Sequence, residues 1–210
     1  MSVSLVVLSH FADIFERFRE QADSLFPSIR KVLVVDGNQI QPPKDWLVLK
    51  GHEPFSLSRN SNMAWRAVDP DDVLIIGDDV IVVTSNLIDV LQKAAYSDPL
   101  VGLAIPTIEE GKWQSAFVCA YLKRSVINHV GYYDEQFNGY GYDDNDLSQR
   151  LRVAGYYTKR TNAIIQHCGG TTYYRVEHEG GPNVQESCDR MREKFNAKWP
   201  AAEPLQCVED

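Results

Sequence analysis

The stretch VGYYDEQFNGYGYDDNDLSQRLRVAGY, residues 130–156, decides how this chain is read. Gly139 and Gly141 alternate with Tyr140 and Tyr142. Three acids, Asp143, Asp144 and Asp146, then lead into Leu147, Leu151 and Val153. That apolar spacing predicts a helix beginning at the acids, and first-turn acids suit the positive end of a helix dipole. The dipole accounts for one or two carboxylates but leaves the glycine-aromatic approach unexplained. Glycines let the backbone come close to a sugar, aromatic faces stack on it, and a carboxylate at a helix start can serve as general base.

Working outward, the first half alternates β-branched runs with amphipathic segments, the pattern of βαβ units building a mostly parallel sheet. VSLVVL (3–8) and KVLVVD (31–36) read as strands buried on both faces, with Phe11, Ile14, Phe15 and Phe18 at helical spacing between them. Gly37, Pro42 and Pro43 break the chain before a short strand, WLVLK (46–50). Ser56 or Ser58 can cap a helix ending near Pro70, and DVLIIG (72–77) follows as the central strand. IVV (81–83) leads to a helix capped by Asn86. VGLAI (101–105) and SAFVCAYL (115–122) are further strands, and a last helix runs from about Asn183 to Trp199 before a loose tail containing Pro204. The expected fold class is α/β, one domain with a C-terminal appendage.

The central strand ends in Asp78-Asp79. Acids at a strand's carboxyl end lie where open α/β sheets bind ligands. Two adjacent carboxylates repel, and a divalent cation held by hard oxygens relieves them. A solvated turn or a capping pair explains an isolated pair as well. His167, in AIIQHCGG, can complete such a site with its imidazole, or can be a hydrogen-bonded core histidine. His178 is a weaker candidate for that role, while His10, His52 and His129 read as background.

Composition narrows the function. With 21 Lys and Arg against 29 Asp and Glu, the net charge is -8, and no basic stripe supplies the footprint for bulk nucleic-acid binding. No apolar run is long enough to cross a bilayer, and Met1 to Leu8 lacks a basic leader, so a soluble or at most peripheral protein without a signal peptide is expected. Cys119, Cys168, Cys188 and Cys207 show no paired spacing, which suits reduced thiols and a cytoplasmic setting.

The order of these features resembles the GT-A glycosyltransferases, particularly family 2. The 130–156 segment is also similar to the WGWGxEDxDL motif of the β-1,4-galactosyltransferases. The resemblance covers about residues 3–170 and implies a GT-A, Rossmann-like fold. It implies a nucleotide-sugar half at about 1–85, an acceptor half at about 86–170, and a mobile lid, C-terminal helix and tail at 171–210. It places Asp36 at the nucleotide base, and LSRNSNMAW, with Arg59 and Asn60, near the nucleotide and diphosphate. The DxD metal motif falls on Gly77-Asp78-Asp79, making Asp79 the most direct metal ligand. Gly77 replaces the first Asp, which shifts weight to Asp78. The ED pair falls on Asp143-Asp144, with Asp144 as the base, and His167 matches a metal-binding His.

The activity so implied is inverting transfer of a sugar from a nucleotide diphosphate sugar, with Mn²⁺ or Mg²⁺, to an acceptor hydroxyl on a glycan, lipid, protein or modified base. A UDP-sugar is the expected donor. Asp36 can accept the uracil imide N-H while backbone groups near Ser9 and His10 hold its carbonyls. Tyr174 and Arg175 in the lid can close on the pyrophosphate, and Trp113 can line the acceptor side. A nucleotidyltransferase is the second enzyme reading, although SHFADIF lacks its glycine-rich phosphate loop. A silent sugar-binding protein is the third.

Overall fold

The computed structural model describes residues 2–36, 40–52, 56–109, 116–168, 175, 177, 183–203 and 207–209. Among the described residues nine strands form a single sheet in the order β3-β2-β1-β4-β7-β6-β8-β5, with β9 also beside β8. The strands are β1 (Val3–Ser9), β2 (Arg30–Val35), β3 (Leu47–Lys50), β4 (Asp72–Ile76), β5 (Val80–Val82), β6 (Val101–Ile108), β7 (Cys119–Leu122), β8 (Tyr157–His167) and β9 (Cys207–Glu209). The helices are α1 (Ala12–Leu25), α2 (Leu57–Ala67), α3 (Leu87–Ala95), α4 (Arg124–Val130), α5 (Asp143–Val153) and α6 (Val184–Lys198).

Pairing is parallel through β3-β2-β1-β4, as the β-branched runs and crossover helices dictate. It turns antiparallel where β7 inserts between β4 and β6, and parallel again between β6 and β8. The sheet is mostly parallel, as expected.

Alternation along the strands divides the core in two. Leu5, Val7, Leu33, Leu74 and Ile76 face one layer with Phe15 and Phe18 of α1 and Leu87 and Leu91 of α3. Val6, Val32, Val34 and Val73 face the other with Ala64 and Trp65 of α2, Ile127 of α4, and Leu147 and Leu151 of α5. Connections leave β1 towards β2 on one side and arrive at β4 on the other, so the carboxyl ends of β1, β2 and β4 meet at a topological switch point.

Three local expectations change. Residues Ala116–Val118 form a 3-10 turn, so the strand expected from Ser115 starts only at Cys119. Asn86 stands at the N-cap of α3, but its side chain makes no capping bond. The tail expected to be loose returns to the sheet, with Thr158, Lys159 and Arg160 registered against Cys207, Val208 and Glu209. An open edge on β8 supplies the unpaired backbone groups that make this pairing favourable. No described helix is long and apolar enough to cross a membrane, and all four cysteines are free.

At the amino end of β4 a buried carboxylate ties the layers together. Asp72 accepts Tyr96 Oη and Tyr121 Oη at 2.7 Å each on one oxygen, and the Arg124 N-H at 2.7 Å on the other. Removing it strands three donors at once. Asp72→Ala is expected to cost on the order of 3 kcal/mol or more in urea unfolding, and a loss under about 1 kcal/mol would show that the hub is dispensable.

Candidate functional site

The short loops leaving β1, β2 and β4 bring three acids of the sequence reading to one edge. Register alone sets this up: Val3 pairs with Asp72 and Val6 with Ile75, so Ser9 comes level with Asp78. Its hydroxyl donates to Asp78 Oδ2 at 2.5 Å in a buried contact. The Ser9 carbonyl accepts the Asp36 N-H at 3.4 Å, which holds the end of β2 alongside. Asp78 is 9% exposed. Burial raises its pKa to about 7 against the lowering effect of the Ser9 bond, and the charges of Asp79 and Asp36 push it further up.

Asp79 turns towards the neighbouring strand pair. Val80 of β5 is registered against His167 of β8, and His167 Nε2 stands 3.2 Å from Asp79 Oδ2. The Cys168 N-H donates to the Asp79 carbonyl at 3.0 Å, locking the strand end. Gly77 has a local reason: a Cβ there would lie 2.9 Å from Asp79 Oδ1. The Asp79 carboxylate therefore occupies space that a side chain at position 77 would need.

These residues fit a hard divalent cation. Ligands about 2.1 Å from an octahedral ion sit about 3.0 Å apart at right angles, close to the observed Asp79-His167 spacing. Among the described residues no three His, Cys, Asp or Glu side chains form a ready-made cage. A site of one or two carboxylates finished by phosphate oxygens is how Mg²⁺ is commonly held.

At the outer end of this edge, Asp36 Oδ1 lies 2.9 Å from His10 Nδ1, and the Asp36 side chain is 4% exposed. His10, read as background in the sequence, is thus a partner of the residue matched to base recognition. Gly51 packs against Asp36 and Asn60. A Cβ on it would meet Asn60 Nδ2 at 2.9 Å and Asp36 Cβ at 3.0 Å, and its N-H donates to the Val35 carbonyl at 2.6 Å. Its sequence signal was only a glycine after a strand.

Asn60 is buried and accepts the His52 N-H at 2.8 Å. Arg59 sits in the first turn of α2 with its Nε 4.0 Å from Glu135. Ser56 caps this helix by accepting the Arg59 N-H. Arg175 donates to Asp13 at 2.7 and 3.0 Å, with its guanidinium 4.1 Å from the Phe11 ring centroid. Trp113, Tyr174 and His178, like most of residues 171–182, lie outside the described residues.

The acidic segment separates into distinct roles. Asp146 is fully buried and accepts Trp199 Nε1 at 2.8 Å, Lys198 Nζ at 2.7 Å and Arg150 Nε at 3.0 Å. It anchors α6. Asp143 is buried too, with Oδ2 unpartnered, and burial raises its pKa, reinforced by Asp144 and Asp146. Asp144 is half-exposed, its Oδ1 accepting the Asn145 N-H at 2.8 Å.

The two tyrosines depart from a simple stacking platform. Tyr142 packs its ring 5.5 Å from Phe195. Tyr140 is buried, its pKa raised by burial and by the Asp36 charge.

No protein-family model matches the chain, and no curated protein matches it. Solved structures do share its fold. A mannosyltransferase from Pyrobaculum calidifontis, in complex with GDP-Man and Mn²⁺, gives a TM-score of 0.65 at 13% identity over 97% of this chain and 76% of its own. A β-1,4-galactosyltransferase 7 mutant from Drosophila, in complex with manganese, UDP-Gal and xylobiose, gives 0.60 at 13% identity over 89% and 79%. The 2-C-methyl-D-erythritol 4-phosphate cytidylyltransferase from Thermus thermophilus gives 0.52 at 16% identity over 82% and 91%. The chain is thus an α/β protein whose sheet has a topological switch point. Within that class its fold is that of the GT-A glycosyltransferases.

The electrostatics of Asp78 give a test in metal-free protein. Because its folded pKa is raised from 3.8 to about 7, the protonated form is the better folded form. Its stability contribution is present below pH 3.8 and lost as pH rises through 7. With EDTA present, Asp78→Asn is expected to raise the melting temperature at pH 8.5 by several degrees and much less at pH 4.5, a gain of order 2 kcal/mol. Equal effects at both pH values would contradict the assigned burial cost.

Proposed function

We propose that the protein is a metal-dependent glycosyltransferase that moves a sugar from a nucleoside diphosphate donor to an acceptor hydroxyl with inversion. The observation that carries this reading is the row Asp36, Asp78, Asp79 and His167 along one sheet edge, with Asp79 and His167 spaced 3.2 Å apart as neighbouring ligands would be. On this reading residues 1–85 hold the donor and 86–170 the acceptor. Asp79 and His167, with Asp78, hold Mn²⁺ or Mg²⁺, which supplies charge neutralisation for the departing diphosphate. The fold shared with enzymes solved with Mn²⁺ and GDP-Man or UDP-Gal supports the proposal.

The chain's own groups divide the work. Asp36, kept in place by His10, accepts the imide N-H of uracil, while Ser9, Gly51 and Asn60 shape the base pocket. Arg59, in the first turn of α2, exchanges Glu135 for a phosphate of the donor. Asp144 takes the proton of the acceptor hydroxyl. The hydroxyl oxygen then bonds to the anomeric carbon as the bond from that carbon to the diphosphate oxygen breaks, its electron pair leaving with the diphosphate. Half-exposure suits Asp144 to this task, because a base must reach an incoming substrate. Asp146 is spent on anchoring, and Asp143 is sealed beneath it.

The nucleotidyltransferase reading keeps some support from the shared fold of the cytidylyltransferase. Against it, the link between Ser9 and Ala12 holds only His10 and Phe11, with no glycine for a phosphate-cradling loop.

Calorimetry with UDP, GDP, CDP and TDP in the presence of Mn²⁺ tests the donor. UDP should bind tightest, and preference for GDP would sink the uracil assignment. Asp79→Ala should lose the Mn²⁺ enhancement of UDP binding, with His167→Ala weaker in effect; equal enhancement in wild type and Asp79→Ala would remove the metal assignment. Asp144→Asn should keep UDP affinity but lose on the order of a hundredfold or more in transfer. Near-normal transfer by that variant would remove Asp144 as the base.

A further inference from the structure

Helix α6 follows the 3–170 stretch that resembles the glycosyltransferases, yet it forms one wall of the turn that delivers Asp144. Ser187, 3% exposed, accepts the Tyr140 N-H at 3.0 Å. A Cβ on Gly139 would stand 2.5 Å from Ser187 Oγ and 3.1 Å from Met191 Cγ, so the turn's backbone lies directly on the helix. Gly141 follows at φ 81° and Tyr142 at φ 67°. A left-handed tyrosine costs of order 1 kcal/mol and persists only where its surroundings hold it. Here the Tyr142 ring rests 5.5 Å from Phe195 of α6.

From the opposite side α2 holds the same loop. Ser58 Oγ donates to the Phe137 carbonyl at 2.8 Å. Asn62 donates to the Tyr133 carbonyl and accepts the Tyr133 N-H, each at 2.9 Å. Lys194 Nζ reaches the Gln136 carbonyl, and Lys198 Nζ bridges Asp134 and Asp146 at 2.7 Å each. The loop is clamped between a donor-side helix and the C-terminal helix, and Asp144 emerges from its end.

Building on the proposed function, we infer that Ser187 is a positioning residue for the transfer reaction: by taking the Tyr140 N-H it fixes the 139–142 turn and hence the place of the Asp144 carboxylate. Magnitudes separate this role from plain stabilisation. One neutral hydrogen bond is worth about 1 kcal/mol to the fold. Misplacing a reacting group by about 1 Å can cost a hundredfold in rate. Loss of the Ser187 hydroxyl should therefore appear in turnover more than in stability.

The test is release of UDP from UDP-glucose, UDP-galactose and UDP-N-acetylglucosamine with Mn²⁺, with melting temperature and UDP affinity measured alongside. Ser187→Ala is expected to lose about tenfold in kcat with KM and UDP affinity unchanged. Gly139→Ala, whose added methyl pushes the turn off α6 from the other side, is expected to lose at least as much and decides the matter if Ser187→Ala does not fold. A kcat within about twofold of wild type in the folded variants, or a loss confined to KM, would overturn the inference. A wild-type protein that binds none of UDP, GDP, CDP and TDP with Mn²⁺ and cleaves none of these sugars would remove the proposed function first, and the positioning role with it.

Discussion

Like-charge crowding at the carboxyl edge of the sheet is the constraint around which the rest of this molecule is arranged. Asp36 follows β2, and Asp78 and Asp79 follow β4, on either side of β1, and Asp78 is removed from water with both other charges acting on it. Carboxylates in such a setting cost free energy unless protons, donors or cations compensate them. The chain offers Ser9 to Asp78, His10 to Asp36 and His167 to Asp79. These described partners are a hydroxyl and two imidazoles. A divalent cation held by hard oxygens is a further way to offset such crowding.

The cost at this edge is tolerable because the sheet beneath it is fully committed. Two apolar layers cover the faces of β1, β2 and β4, and the Asp72 hub fastens β4 to β7 and to the start of α4 at the opposite end. Stability gathered in the core and at the amino ends of the strands supports strain and repulsion at their carboxyl ends. The same separation recurs in the acidic segment, where Asp146 is fully satisfied by Trp199, Lys198 and Arg150 while Asp144, two residues earlier, remains near solvent.

Much of this was legible in the sequence. Runs such as VSLVVL and KVLVVD fix strand positions because a two-faced buried strand admits little else, and Asp78-Asp79 falls at the carboxyl end of the central strand as read. The helix starting at Asp143 followed from its apolar spacing. What escaped were long-range partnerships without local signatures. His10 gave no sign of its pairing with Asp36, 26 residues away. Asp146 and Asp144 looked alike until Trp199 and Lys198 arrived from the far end of the chain. Gly139 read as a glycine for approach to a sugar, whereas the group that its missing side chain admits is Ser187. The return of Cys207–Glu209 to the sheet was hidden for the same reason, since edge pairing depends on which strand is left open.

The central claim is that one cation joins the Asp79-His167 edge to a nucleoside diphosphate. Paramagnetic broadening of the ³¹P resonances of UDP by Mn²⁺, with protein in excess, tests it most directly. Broadening of both phosphorus signals by protein-bound Mn²⁺, with Mn²⁺ affinity rising when UDP is present, is the expected result. Mn²⁺ that binds equally well with and without UDP and leaves protein-bound UDP unbroadened would contradict it.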